Sequence, residues 1–292
     1  MGGPFFAVVI PVHNRPGELA RAVDSVLAQT CRDFELVVVD DGSTDATSEV
    51  AASYGDRIRL IRQENAGVSA ARNRGIAATR APWIALLDSD DAWRPDKLAR
   101  QRRFAEERPD CSILQANEIW VRNGRRVNPP ETHRKRDGRI FRESLARCMV
   151  SPSAVALRRD LFERYGPFDE RLPACEDYDL WLRITAFEPV GLIDEDLLTR
   201  YGGHDDQLSR RFWGMDRFRV HAIVRLLEEY GERLGPGDRE AAIAAALERC
   251  ALLAAGAARR GNAAFAARMD ALGGEIRSGR YSTVACGFLV EA

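Results

Sequence analysis

The sequence has no Cys-x-x-Cys pair, although it holds six cysteines, Cys31, Cys111, Cys148, Cys175, Cys250 and Cys286. Their wide spacing argues against a structural zinc site or a disulfide framework and points to a reducing compartment. Lysine is nearly missing: among 43 Lys and Arg residues only Lys97 and Lys135 are lysines. With so much alanine, that imbalance reads as the codon bias of a GC-rich genome rather than a functional choice. Charge of one sign is lacking too. The formal net charge is −1, so no global field draws the chain to nucleic acid or to a membrane. No P-loop and no G-x-G-x-x-G occurs, which excludes Walker-type phosphate binding and leaves a dinucleotide oxidoreductase without its fingerprint. No apolar run reads as a membrane span, because Glu248 and Arg249 break the alanine-rich 241–258 region. The start Met1-Gly-Gly-Pro lacks the basic segment of a secretory signal, and Phe6 breaks the myristoylation pattern.

What is present is an ordinary folded composition, 45% apolar and 30% charged over 292 residues, long enough for a large α/β domain with an appendage. "FFAVVIPV" at 5–12 is a β-branched apolar run of buried-strand type. Pro16 opens a helical pattern carried by Leu19, Ala22, Val23, Val26 and Leu27. "FELVVVDDGSTD" is a second strand ending in acids and a turn, followed by a helix to about Tyr54 and a strand at "RIRLIR". "NAGVSAARNRG" is a glycine turn feeding a third helix, and "APWIALLD" is a fourth strand. Such alternation predicts βαβ units and a parallel sheet, whose carboxyl edge is where open α/β folds bind ligands.

Beyond Pro95 the spacing predicts a helix to about Glu107, a strand at "CSILQANEIWVR" and a polar, basic loop over 122–142. A short strand "SAVALRR", a helix stopped by Gly166, the helix "EDYDLWLRITAF" and two short extended pieces, "PVGLID" and "DLLTRYGG", follow. From about Asp206 only helices are expected, with stops near Gly231–Gly237, Gly261 and Gly273. The division is therefore 1–205, with a change of pattern at about residue 95, and a helical region over 206–292.

Acidic clusters carry the chemistry. Asp40-Asp41 and Asp88-Ser89-Asp90-Asp91 both fall at strand ends and are expected to converge on one crevice although about fifty residues separate them. In "DSDD" alternate residues point the same way, and hard oxygens so close together suit Mg²⁺ or Mn²⁺ held with ligand phosphates. Left without a cation, such a cluster is expected to be strained or mobile. Equally, Asp88 and Asp90 could cap the turn or the next helix. Asp41 could accept from a ribose hydroxyl or a base N–H, or Asp41-Gly42 could be a plain turn. Arg72, one turn into its helix, could pair with a phosphate or with the acids. Glu176 and Asp177 open a helix, as dipole partners or as a general base. His204 stands between two glycines and two aspartates, structural or a ligand for metal or phosphate.

Taken in order, "VVIPVHNRP", "FELVVVDDGSTDAT", "NAGVSAARNRGI", "WIALLDSDDAW", "PFDERLPACEDYDLWLRI" and "YGGHDDQLSR" resemble the family 2 glycosyltransferases, over roughly residues 5–210. The resemblance implies an α/β GT-A fold: a Rossmann-like, mostly parallel sheet flanked by helices, with about 1–95 as the nucleotide-sugar-binding half and 96–205 as the acceptor half, here with a C-terminal helical extension over 206–292. It implies an inverting enzyme that moves a sugar from a nucleotide-diphosphate donor, a UDP-sugar first among them, to an acceptor hydroxyl with Mn²⁺ or Mg²⁺. The setting is cytoplasmic, open to peripheral contact with the inner membrane face, without nucleic acid, in polysaccharide, glycolipid or glycoconjugate synthesis. By resemblance, Asp41 contacts the base, with Pro11, His13 and Asn14 beside it. Asp88, Ser89 and Asp90 hold the nucleotide sugar together with Arg72 and Glu176. Asp90, Asp91 and His204 hold the metal, and Asp177 is the catalytic base. His204 with Ser209 closes over the diphosphate. Members commonly carry arginines where this sequence has Gly202 and Gly203, so no cation is expected from that stretch. The alternative is a non-catalytic nucleotide-sugar-binding module of the same fold.

Overall fold

A computed structural model describes residues 3–203 and 212–291. His204 and Ser209 lie outside the described residues. The chain forms two compact units.

The first unit holds the sheet. β1 (Phe6–Val12), β2 (Phe34–Asp41), β3 (Arg59–Gln63) and β4 (Trp83–Leu86) alternate with α1 (Pro16–Leu27), α2 (Thr47–Ala52) and α3 (Val68–Ala77). β1 is buried at every position, as a strand covered by helices on both faces must be. α1 starts on Pro16, whose missing N–H costs nothing in a first turn, and buries Leu19, Ala22, Val23 and Val26. β1 pairs parallel with β2 and β4, and β2 with β3. Beyond them come β5 (Ala92–Trp93), α4 (Lys97–Glu107), β6 (Ile113–Arg122) and β7 (Arg125–Val127). After α5 (Phe141–Ala146) follow β8 (Ala156–Arg158), α6 (Asp160–Tyr165), α7 (Glu176–Thr185) and β9 (Val190–Gly202). The sheet runs β3-β2-β1-β4-β8-β6-β9-β5, with β7 beside β6. Its first four strands are parallel. β8 is antiparallel to β4 and β6, and β9 is parallel to β6.

Two local readings change. The two extended pieces after residue 188 are one 13-residue strand, β9. β6 offers it a partner along its whole length, and register shifts around Asn117 absorb the acidic run Asp194-Glu195-Asp196. The basic stretch 122–142 is not simply a loop. It turns back as the β6–β7 hairpin, and Lys135 within it is buried.

The second unit is helical and discontinuous. It combines Ile140–Cys148 and Arg171–Phe187, hence α5 and α7, with α8 (Asp216–Tyr230), α9 (Pro236–Arg259) and α10 (Ala263–Arg277). Phe141, Leu145, Tyr178 and Leu182 share one apolar cluster with Phe218, Ile223, Cys250, Leu253 and Met269. Segments placed with the sheet by sequence order are thus sorted by what buries their apolar faces. Gly273 does not stop a helix. It lies buried inside α10, where packing on α9 overrides the intrinsic cost of a mid-helix glycine, about 1 kcal/mol. By length and composition α9 could cross a bilayer. Here it buries Ala242, Ala246, Cys250 and Leu253 in that cluster, and Arg249 from its middle donates to the Leu145 and Ala146 carbonyls, as in the core helix of a folded unit.

Candidate active site

β1, β2 and β4 end side by side at the carboxyl edge of the parallel block, so Asp40-Asp41 and the 88–91 turn lie on one rim of the first unit. Pro11 sits in β1 without breaking the ladder. The Val9 carbonyl accepts from Leu87, and the pairing with β4 stops at Val9–Leu86, so Pro11's missing N–H faces a position beyond it.

The two aspartates of the β2 end do different work. Asp40 is fully buried and accepts from the Ser43 N–H at 2.9 Å and from the Ser48 hydroxyl. Burial alone would raise its pKa. Those hydrogen bonds and the Arg62 charge outweigh it and hold the carboxyl below its usual range. Asp41 takes Gln63 Nε2 at 2.7 Å and the Ala66 and Gly67 N–H groups at 2.9 Å, and so fixes the turn that starts α3. It is 4% exposed. A base contact through Asp41 would use the carboxylate's one remaining lone-pair direction. Gly42 is required here: its φ is 75°, and a Cβ would stand 2.6 Å from the Asn65 nitrogen. His13 Nδ1 lies 2.9 Å from the Asp41 carbonyl. Asn14, in the left-handed region at φ 52°, receives the Thr44 N–H on Oδ1 and gives its own N–H to Ser43. Both hold the acidic turn against β1.

In the 88–91 turn each acid has a separate setting. Asp88 Oδ1 lies 2.6 Å from Arg72 Nη2, so the buried Arg72 pairs with an acid. Arg74, on the same helix, is exposed. Asp90 Oδ2 is 2.7 Å from Arg15 Nη1. The Asp90 carbonyl accepts from Arg21 Nη2 at 2.7 Å. Asp91 is 3% exposed and accepts the Tyr201 N–H at 3.0 Å. Burial, then the charges of Asp90 and Asp88, push its carboxyl well above the usual range. Ser89 is buried beneath the turn. Without a cation, two arginines face two of the acids. Sequence reasoning passed over Arg15, although it stands in the quoted "VVIPVHNRP", as well as Tyr201 and Ser153, whose Oγ accepts from the Asp88 N–H.

Among the described residues no three His, Cys, Asp or Glu side chains converge to enclose an ion by themselves. What the turn does offer is two partly exposed carboxylates, Asp88 and Asp90, each already facing an arginine. That suits a hard dication held by one or two carboxylates, with phosphate and water supplying the rest.

In the second unit, Asp177 is the only one of α7's ten residues that is not buried. Cys175 in the left-handed region at φ 63° starts the helix. Asp177 Oδ1 accepts the Tyr178 N–H at 2.7 Å, and the Cys148 thiol donates to Oδ2 at 3.4 Å. Glu176 is buried. The next acid, Asp179, is structural: it takes Arg183 at 2.6 Å and Arg225 at 3.1 Å in the interior.

The acids at the strand ends thus lie in the first unit, and Asp177 lies in the second. The chain belongs to glycosyl transferase family 2, whose family model matches residues 7–166. It is 31% identical over 206 residues to the PGL/p-HBAD biosynthesis glycosyltransferase of Mycobacterium tuberculosis, covering 69% of this chain and 75% of that one. It is 33% identical over 215 residues to an uncharacterized glycosyltransferase of Rickettsia felis, where the match spans 36% of the longer protein. The fold matches that of S. aureus TarS 1-349 in complex with UDP-GlcNAc, with a TM-score of 0.64, 18% identity, and coverage of 94% of this chain and 92% of that one.

Proposed function

We propose that this protein is an inverting, divalent-metal-dependent glycosyltransferase that moves a sugar from a nucleotide-diphosphate donor to an acceptor hydroxyl. The observation that carries the reading is the 88–91 acid turn at the carboxyl edge of the parallel strands, in a chain of this family. Asp90 is the residue to hold Mg²⁺ or Mn²⁺, because its arginine partner, Arg15, is itself partly exposed, whereas Arg72, the partner of Asp88, is buried. Asp91 is buried and accepts the Tyr201 N–H, so it serves as a support. When bound, the ion would stabilise negative charge on the departing diphosphate. Pro11, His13, Asn14 and Asp41 shape the base-binding rim, and Asp88 with Arg72 the ribose side. Asp177 takes the acceptor proton, a contribution typically of about 10²–10⁴-fold. Its exposure on a helix that is otherwise buried supports that role.

The UDP-GlcNAc bound to TarS supports a UDP-sugar as donor. The mycobacterial relative's name supports a place in glycolipid or polysaccharide synthesis. The exposed arginines of the β6–β7 hairpin, Arg122, Arg125 and Arg126, would meet an anionic acceptor or membrane head group. The test is Asp177→Asn against UDP-, dTDP- and GDP-sugars with Mn²⁺. Donor-induced thermal stabilisation should persist while transfer and donor hydrolysis fall by at least about a hundredfold. Turnover at the parental rate would remove Asp177 as the base.

A further inference from the structure

The acid turn arrives with its own cations. Arg15 is the residue before the first turn of α1, ahead of Pro16, and its backbone N–H is anchored on Thr47 Oγ1 at 2.8 Å. Its guanidinium reaches Asp90 Oδ2 at 2.7 Å, with both side chains about one-fifth exposed, at 19% and 18%. Arg21, farther along α1, fixes the Asp90 carbonyl and lies 4.0 Å over the Tyr201 ring. Arg72 neutralises Asp88, and Asp91 accepts the Tyr201 N–H at 3.0 Å. Two of the turn's three carboxylates thus carry an arginine partner.

A dication that approaches this turn meets an occupied carboxylate. It can take Asp90 Oδ2 only if Arg15 leaves, and that exchange costs a well-formed, partly buried ion pair. A diphosphate arriving together with the ion offers the displaced guanidinium a new anionic partner, with two phosphoryl oxygens spaced to accept both N–H donors of its fork.

We propose that Arg15 is an exchange cation. It holds the metal position on Asp90 in the donor-free protein and passes to the donor diphosphate when ion and nucleotide bind together. The proposal rests on the donor-and-metal reading above. Arg15 thus makes metal and donor binding mutually dependent, and it keeps the empty site from loading with metal alone.

The test is calorimetric Mn²⁺ binding to the full chain, with and without saturating UDP, for the parent protein, Arg15→Gln, Arg15→Lys and Asp90→Asn. Circular dichroism melts show that each variant is folded. In the parent, Mn²⁺ alone should bind weakly and UDP should tighten it by about tenfold or more. Arg15→Gln should bind Mn²⁺ alone about five- to tenfold more tightly and show a much smaller UDP enhancement, since a competing charge has gone. Arg15→Lys should stay close to the parent, and Asp90→Asn should lose Mn²⁺ binding in both conditions. Mn²⁺ affinity that is unchanged or weaker in Arg15→Gln, with normal UDP synergy, overturns the exchange role while leaving the donor reading intact. Failure of the parent to bind Mn²⁺ even with UDP overturns the metal reading and the exchange role with it.

Discussion

Lys135→Met is the sharpest test of how the first unit is held together. Lys135 lies in the basic stretch that sequence pattern treats as solvated, yet it is 8% exposed. Its ammonium donates to Ser151 Oγ at 2.6 Å and lies 3.3 Å from Glu118 Oε2. Glu118 also receives Trp120 Nε1 at 2.8 Å and faces Arg200 at 3.7 Å. Burial would raise the Glu118 pKa, but the charges of Lys135 and Arg200 and the hydrogen bonds from Ser151 and Trp120 hold it at about 2, against an ordinary 4.5. At about 1.4 kcal/mol per pH unit, a carboxyl held that low is worth about 3 kcal/mol at neutral pH. Because the folded pKa is the lower one, this stability is complete above about pH 4.5 and drains away as the pH falls toward 2. Methionine keeps most of the lysine's stem and removes the charge, leaving Arg200 and two neutral donors. Urea unfolding should therefore show a loss of about 2–3 kcal/mol at pH 7, shrinking toward pH 3 as Glu118 protonates. Adding Glu118→Gln to the variant should recover part of the loss, since no buried charge is then unpaired. A Lys135→Met protein within about 0.5 kcal/mol of the parent at pH 7 would show that the lysine is an ordinary solvated surface charge.

Asp90→Ala should abolish metal-dependent donor stabilisation in a thermal-shift assay while leaving the fold intact, and retention of the Mn²⁺ effect would move the metal elsewhere. Asp91→Asn should raise the melting temperature by a few degrees at pH 7, because the amide still accepts from Tyr201 without a charge disfavoured by burial and by its acidic neighbours. The folded pKa of Asp91 is raised, so the gap should widen as pH rises; a gap independent of pH would contradict that setting. Gly75→Ala should destabilise by about 1–2 kcal/mol, since the gain in helix propensity is outweighed by overpacking against β1 and β2. The added Cβ would stand 2.4 Å from Val9 Cγ1 and 3.1 Å from Val39 Cγ2. A neutral or stabilised variant in denaturant titration would mean that α3 can shift off the sheet.

By itself the sequence determined the βαβ half and the identity of its rim. Strand and helix periods are local, so the runs from Phe6 to Leu86 declare their elements within a few residues. Right-handed crossovers then place Asp41 and the 88–91 turn on one edge without reference to coordinates. The six ordered motifs, and with them the family, were equally legible, because each is a short contiguous pattern. Tertiary structure alone decided which charges meet. Arg15 with Asp90, Arg72 with Asp88 and Lys135 with Glu118 are pairs between separate elements; the sequence leaves Arg72 open between a phosphate and the acids and assigns Arg15 and Lys135 no partner. Nor could local pattern show that α5 and α7 belong with the C-terminal helices. An amphipathic segment announces that it has an apolar face, but which other face covers it is settled only when the chain closes on itself and removes both from water.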